Sequence, residues 1–307
     1  MSDGRYTLIK GSFHIFYPDM PKNGPQPDGD TITFKPDNIN LTDHLLKNRR
    51  DRIRITGNGM IKIRFESIDT LETHYPIPRK PLIVHQDLEF GYKARDFVLD
   101  KLGFTNVVFY DDNPNLVKSV SQPSMPGYII ANGTDKYGRV IAFVYSGEST
   151  QEDGAKIYLK EAELKESINY QSFKNSLAYP ALYTTLPIDL VDIFRLETDE
   201  LRKNKLNIWA KDAISKEKSC IIKSLEQLKD LVIWPKLFRR LAAYFSENYK
   251  DLNSFILWLK DDSENRDDDI TLPNREKAKL HDMFIVQDGA INFKYLPEEV
   301  ILHDKKA

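Results

Sequence analysis

Residues 61–66 read Ile-Lys-Ile-Arg-Phe-Glu, and this run constrains the fold more than any other. Apolar Ile61, Ile63 and Phe65 alternate with charged Lys62, Arg64 and Glu66 at the period of two that lets one face of a strand be buried. Similar short runs recur. Residues 5–17 carry Tyr6, Leu8, Ile9, Phe13, Ile15 and Phe16, and Asp28 to Phe34 continues after a loop dense in Pro, Gly and Asn. Gly57-Asn58-Gly59 is a hairpin turn within Arg52 to Ile68, and Val107–Tyr110, Gly127–Ala131 and Val140–Tyr145 complete the strand set. Leu88, Tyr92, Leu99 and Leu102 repeat at helical spacing, and Gly103 stops that helix. About five short strands with one helix between the third and fourth predict an α+β fold built on a small closed barrel of the oligonucleotide-binding type.

Two further helices are expected at about Leu159–Leu177 and Asp189–Lys205. From Lys211 the pattern changes to three short amphipathic helices, around Ile221–Val232, Leu237–Phe245 and Leu252–Leu259, with a short strand or two in Ile291–Val300. The 307 residues are therefore expected to form a barrel domain over 1–210 and a mainly helical C-terminal extension over 211–307. A formal charge of −2 argues against a broad basic surface for nucleic acid, so any phosphate site must be local. No apolar run approaches the roughly 20 residues of a membrane span, and the N-terminus carries no secretory signal pattern, which predicts a cytoplasmic protein or one exported by another route. Cys220, the only cysteine, allows neither an internal disulfide nor a thiolate metal site.

The chemistry gathers around Arg64 to Thr73, R-F-E-S-I-D-T-L-E-T, where a strand ends in a turn carrying Asp69, Thr70 and Glu72. Asp30, Asp69 and Glu72 are hard oxygen donors, which suits calcium, or less well magnesium, rather than zinc. Arg64 and Arg139 can each make paired hydrogen bonds to phosphate oxygens. Glu72 stands three positions beyond Asp69, where it can orient a water as general base.

Asp28-Gly-Asp-Thr, the Arg64–Thr73 stretch, Thr134-Asp-Lys-Tyr-Gly-Arg139 and Asn204-Lys-Leu-Asn-Ile-Trp209 occur in the order found in the thermonuclease, or staphylococcal-nuclease-like, family. The resemblance covers about residues 28–210 and says nothing of residues 211–307. It implies a five-stranded barrel with three helices and calcium-dependent cleavage of DNA and RNA phosphodiesters that leaves 3′-phosphates. By position, Asp30 and Asp69 resemble the calcium carboxylates, and Thr70 the residue that offers its backbone carbonyl. Arg64 and Arg139 resemble the phosphate-binding arginines, Glu72 the general base, and Lys136 a lysine near the terminal phosphate. Tyr183 lies near the family's nucleotide-contacting tyrosines. The chain departs from the family in longer segments before the Arg64 strand and before Thr134, and in Leu71, where the family turn has proline.

The expected activity is that of a calcium-dependent nuclease. Two other readings stand beside it. A non-catalytic barrel could bind nucleic acid or protein. Alternatively, the nuclease could be a delivered toxin, or be regulated by a protein partner or inhibitor through residues 211–307.

Overall fold

The computed structural model describes residues 5–46, 51–261 and 266–303. Five strands close a barrel: β1 (Arg5–His14), β2 (Thr31–Pro36), β3 (Ile61–Phe65), β4 (Ser124–Thr134) and β5 (Val140–Ser146). Around it the order is β1, β2, β3, β5, β4 and back to β1. Every pairing is antiparallel except β3 with β5, where Ile63 lies opposite Val140. Lys156–Tyr158 adds a short strand to the beginning of β1. Closure removes the free edges that an open sheet would expose.

The alternation in β3 holds through Phe65: Ile61, Ile63 and Phe65 are buried, Lys62 is exposed and Arg64 is half-buried. It then breaks. Glu66 is buried, and Ser67 turns the chain with a left-handed backbone, φ 67°, unusual for a residue with a side chain. The turn redirects the chain into Ile68–Asp69, which pairs with Tyr179–Pro180. Ile55 bridges to Ile61 across the Gly57–Gly59 turn, but the partners of β3 over its length are β2 and β5. Val108–Phe109 pairs with Val117–Ser119 in a ribbon outside the barrel.

Helix α1 (Leu88–Lys101) lies between β3 and β4, begins with Asp87 accepting from the Phe90 N–H, and stops at Gly103, φ 91°. The expected helix over 159–177 is two, because Ser167 breaks it: Glu161–Glu166, then α2 (Ile168–Lys174), whose N-terminus Ser167 caps. Helix α3 (Ile188–Asn204) follows, ending at Lys205 in the left-handed conformation.

In the extension, short helices Leu225–Lys229 and Phe255–Lys260 flank the longer α4 (Pro235–Ser246). Two three-stranded sheets accompany them, so the extension mixes sheet with helix. One joins Cys220–Ile221, Ala290–Phe293 and Phe284–Gln287; the other joins Lys277–Lys279, Asp269–Thr271 and Ile301–Leu302. The barrel and the extension share one continuous apolar core. The Leu302 N–H donates to the Leu182 carbonyl, and Arg202 on α3 pairs with both Asp212 and Glu298.

One buried side chain ties the barrel to the turn that carries the candidate site. The Asn169 Oδ1 accepts from the Val144 N–H at 2.9 Å, while its Nδ2 donates to the Glu66 and Ala142 carbonyls at 3.0 Å each. Replacing it strands a buried N–H and removes the clamp on the β3–Asp69 turn. Asn169→Ala should therefore cost about 3 kcal/mol of unfolding free energy in a denaturant titration. A loss below about 1 kcal/mol would show that the clamp is dispensable.

Candidate active site

The expected residues Asp30, Arg64, Asp69, Thr70 and Glu72 meet at one flank of the barrel. Arg64 leaves β3 on the face away from the core and pairs with two carboxylates. Its Nη1 contacts Asp30 Oδ2, and its Nη2 donates to Asp69 Oδ1 at 2.5 Å. The Thr70 N–H donates to Asp30 Oδ2 at 2.9 Å, and the Thr31 hydroxyl donates to Asp30 Oδ1 at 3.1 Å. The loop before β2 can approach this closely because residue 29 is glycine. A Cβ there would lie 2.7 Å from Thr70 Oγ1 and 2.8 Å from Ala94 Cβ on α1.

Two residues of the cluster were not expected. Asp28 accepts from its neighbour's backbone, the Gly29 N–H, and from the Thr73 hydroxyl. Arg239 reaches in from α4. Its Nη2 donates to Asp69 Oδ2 at 2.9 Å, and its Nη1 to Asp69 Oδ1 at 3.2 Å and Glu72 Oε1 at 2.5 Å. Gln86 fixes the same junction. It accepts from the Glu72 N–H at 3.2 Å and donates to the Ile233 carbonyl, two residues before α4, at 2.9 Å.

The cluster thus holds Asp28, Asp30, Asp69 and Glu72 against Arg64 and Arg239. Burial alone would raise the Asp69 pKa, but Arg239 and Arg64 overcome it and hold the carboxyl down to about 2. Burial also disfavours the charged guanidinium of Arg64, yet Asp30 and Asp69 raise its pKa above the ordinary value. The opposite outcome holds at Asp28, where burial, then the Asp30 and Glu72 charges, push the pKa up to about 8. Glu72 is also raised: burial and the charges of Asp30 and Asp69 outweigh Arg239.

Arg139 stands apart from the carboxylates. It precedes Val140, which pairs with Ile63, so it emerges beside Lys62 on the strand next to Arg64. Asp135 holds its Nε at 2.6 Å, leaving both Nη atoms without a hydrogen bond among the described residues. Tyr137 lies under its guanidinium at 5.7 Å, and Lys136 is exposed with its ammonium 5.0 Å from the same ring. The Tyr75 phenol connects the two regions. Burial raises its pKa first, Arg239 and Arg240 oppose that, and Glu72 and Tyr137 add to it. Tyr183 is not in the cluster. It bridges to Leu302 and lies 5.6 Å from the Lys236 ammonium, one turn of α4 before Arg239.

A divalent cation does not fit this arrangement. Both Asp69 oxygens accept from guanidinium groups, and among the described residues no set of three or more His, Cys, Asp or Glu side chains converges on one ion position. The donor chemistry suits calcium, but Arg64 and Arg239 hold the carboxylates that calcium would use.

The class that fold and site define is a closed five-stranded barrel with helices, compatible with an oligonucleotide-binding type, bearing a buried carboxylate–guanidinium cluster on its flank. No protein-family model matches the chain, and no curated protein matches it. Among the described residues no helix is long and apolar enough to cross a membrane.

A carboxyl whose folded pKa lies above its unfolded value keeps its proton after the unfolded chain has lost it. The stability Asp28 contributes should therefore be full below about pH 4 and lost as the pH rises through about 8. Asp28→Asn removes the charge and can keep both acceptor bonds. Its melting temperature relative to wild type should be higher at pH 8 than at pH 5, by about 2 °C or more. An offset independent of pH would contradict the assignment.

Proposed function

We propose that the chain is a phosphodiesterase acting on DNA or RNA, with the reaction centre at the Asp30–Asp69–Glu72 cluster. The observation that carries this is the meeting of three separate segments, 28–31, 64–73 and 134–139, on adjacent barrel elements. They set Glu72, a carboxylate whose pKa burial raises, in the turn after β3, and Arg139, with its fork open, just before β5, the strand paired with β3. In water, Arg139 is the side chain best able to take two phosphate oxygens, because Asp135 orients it without consuming its Nη atoms. Donors aimed at the oxygens that gain charge typically lower a barrier by about 3 kcal/mol each.

Glu72 is the base. Arg239 holds Oε1, and Oε2 has no partner among the described residues. Burial raises the pKa of this carboxylate above its ordinary value, against the opposing charge of Arg239, which makes it a stronger proton acceptor. Glu72 takes a proton from water as the oxygen attacks phosphorus. The P–O5′ bond breaks and the leaving oxygen takes a proton from solvent, so the phosphate stays on the 3′ side. The steps above use only the chain's own side chains, because Arg64 and Arg239 hold the carboxylates that calcium, or less well magnesium, would use.

A second reading is supported by the internal pairing of Arg64, Asp69 and Glu72. Such pairing makes a stable flank for a barrel that binds nucleic acid or protein without cleaving it.

The test is cleavage of fluorescent single-stranded DNA and RNA, with calcium, magnesium or chelator, beside Glu72→Gln. Wild type should cut at least one substrate, and Glu72→Gln should be slower by about a hundredfold or more. If neither the wild type nor Arg239→Gln cuts under any condition, the enzyme reading fails and the binding reading stands.

A further inference from the structure

Arg239 is one of two guanidinium groups that occupy the carboxylates a divalent cation would use at the candidate site. Arg239 belongs to the extension, yet its guanidinium lies on two barrel carboxylates, Asp69 and Glu72. We propose that Arg239 and a divalent cation compete for these two carboxylates, so that the extension carries an internal counter-cation for the barrel site. The inference rests on reading the cluster as the reaction centre, but its test does not require cleavage.

Several observations make Arg239 a cation held in a cation site rather than an ordinary surface pair. Its fork takes both oxygens of Asp69, while Nη1 also reaches Glu72. A single positive group therefore spans the two carboxylates a hard ion would bridge. The helix that delivers it is anchored on both sides. Arg240 donates to the Arg266 carbonyl and to Asp268, Lys236 pairs with Asp268, and Phe238 meets the Tyr75 ring edge-on at 6.4 Å. Gln86 couples the backbone at Ile233 to that of Glu72, so a shift of α4 is felt at the carboxylate.

Without Arg239 the two carboxylates are short of positive charge: Asp69 would keep only Arg64, and Glu72 would keep no cation among the described residues. The Thr70 hydroxyl is buried without a hydrogen-bond partner, packed where Gly29 passes between Asp28 and Asp30. Side-chain exposure is 20% at Arg239 and 17% at Glu72 against 2% at Asp69, so the network meets water on its Arg239–Glu72 side. A ligand that binds only the Arg239-released state is weakened by the fraction of chains in which that state is populated.

The experiment is calorimetric titration of calcium chloride into the full chain in chelator-stripped buffer. Arg239→Gln should bind calcium at least tenfold more tightly than wild type. Arg239→Lys keeps the charge but loses the fork, and should fall between the two. The gain should vanish in the double variant Arg239→Gln/Asp69→Asn. Equal or weaker binding by Arg239→Gln, no binding by any variant, or a gain that survives Asp69→Asn would each overturn the proposal. If Arg239→Gln does not fold, Arg239→Lys decides alone: tighter binding than wild type supports competition, and unchanged binding removes it. Cleavage by wild type without a calcium gain in the variants would leave the proposed function standing and reject the competition. A calcium gain without cleavage would do the reverse.

Discussion

Asp69 accepts from two guanidinium groups at once, and the candidate site is built on that shared carboxylate. Burying a charge is unfavourable unless it is paired and its remaining lone pairs are satisfied. Here Arg64 links Asp69 to Asp30, and Arg239 links it to Glu72, so three separate segments of the chain, at Asp30, Arg64–Glu72 and Arg239, join in one network. Removing one partner from such a buried network typically costs about 3–5 kcal/mol, because the other charge is left behind. The network is therefore both the chemistry of the site and the joint between barrel and extension.

The joint explains why the extension shares the barrel's core rather than hanging from it. Gln86 is buried and hydrogen-bonds the backbone on both sides, and Arg202 closes a second junction on Asp212 and Glu298. A helix delivering a fixed guanidinium needs that rigidity. A side chain on a loose appendage would lose its hold on Asp69 to conformational entropy. Arg139, outside the cluster and oriented by Asp135 through Nε alone, keeps its fork open among the described residues. Fixed charge within the cluster and available charge beside it are thus separated by place.

Much of this was legible in the sequence. The alternation of Ile61, Ile63 and Phe65 identifies a barrel strand, and Leu237, Leu241 and Phe245 identify α4, because burial of one face imposes a period on the residues themselves. Asp30, Arg64, Asp69 and Glu72 were grouped correctly as neighbours, three of them within one strand and its turn. Asp28 stands in the same Asp-Gly-Asp run without a local sign of its raised proton affinity, which comes from burial and from the charges of Asp30 and Glu72. Arg239 carried no signal at all: its contact with Asp69 spans 170 positions, and no local pattern distinguishes it from Arg240 beside it. The left-handed turn at Ser67 was equally hidden, because tertiary packing rather than residue type holds it there. Lys136 and Tyr183 lie outside the cluster, one exposed on a turn and the other against Lys236.

The measurement closest to the central claim is a double-mutant cycle for unfolding free energy, using Asp69→Asn, Arg239→Gln and the pair together. A shared buried ion pair predicts an interaction energy of about 2 kcal/mol or more between the two sites. Additive losses, within about 0.5 kcal/mol, would mean that Arg239 and Asp69 do not depend on each other and that the joint lies elsewhere.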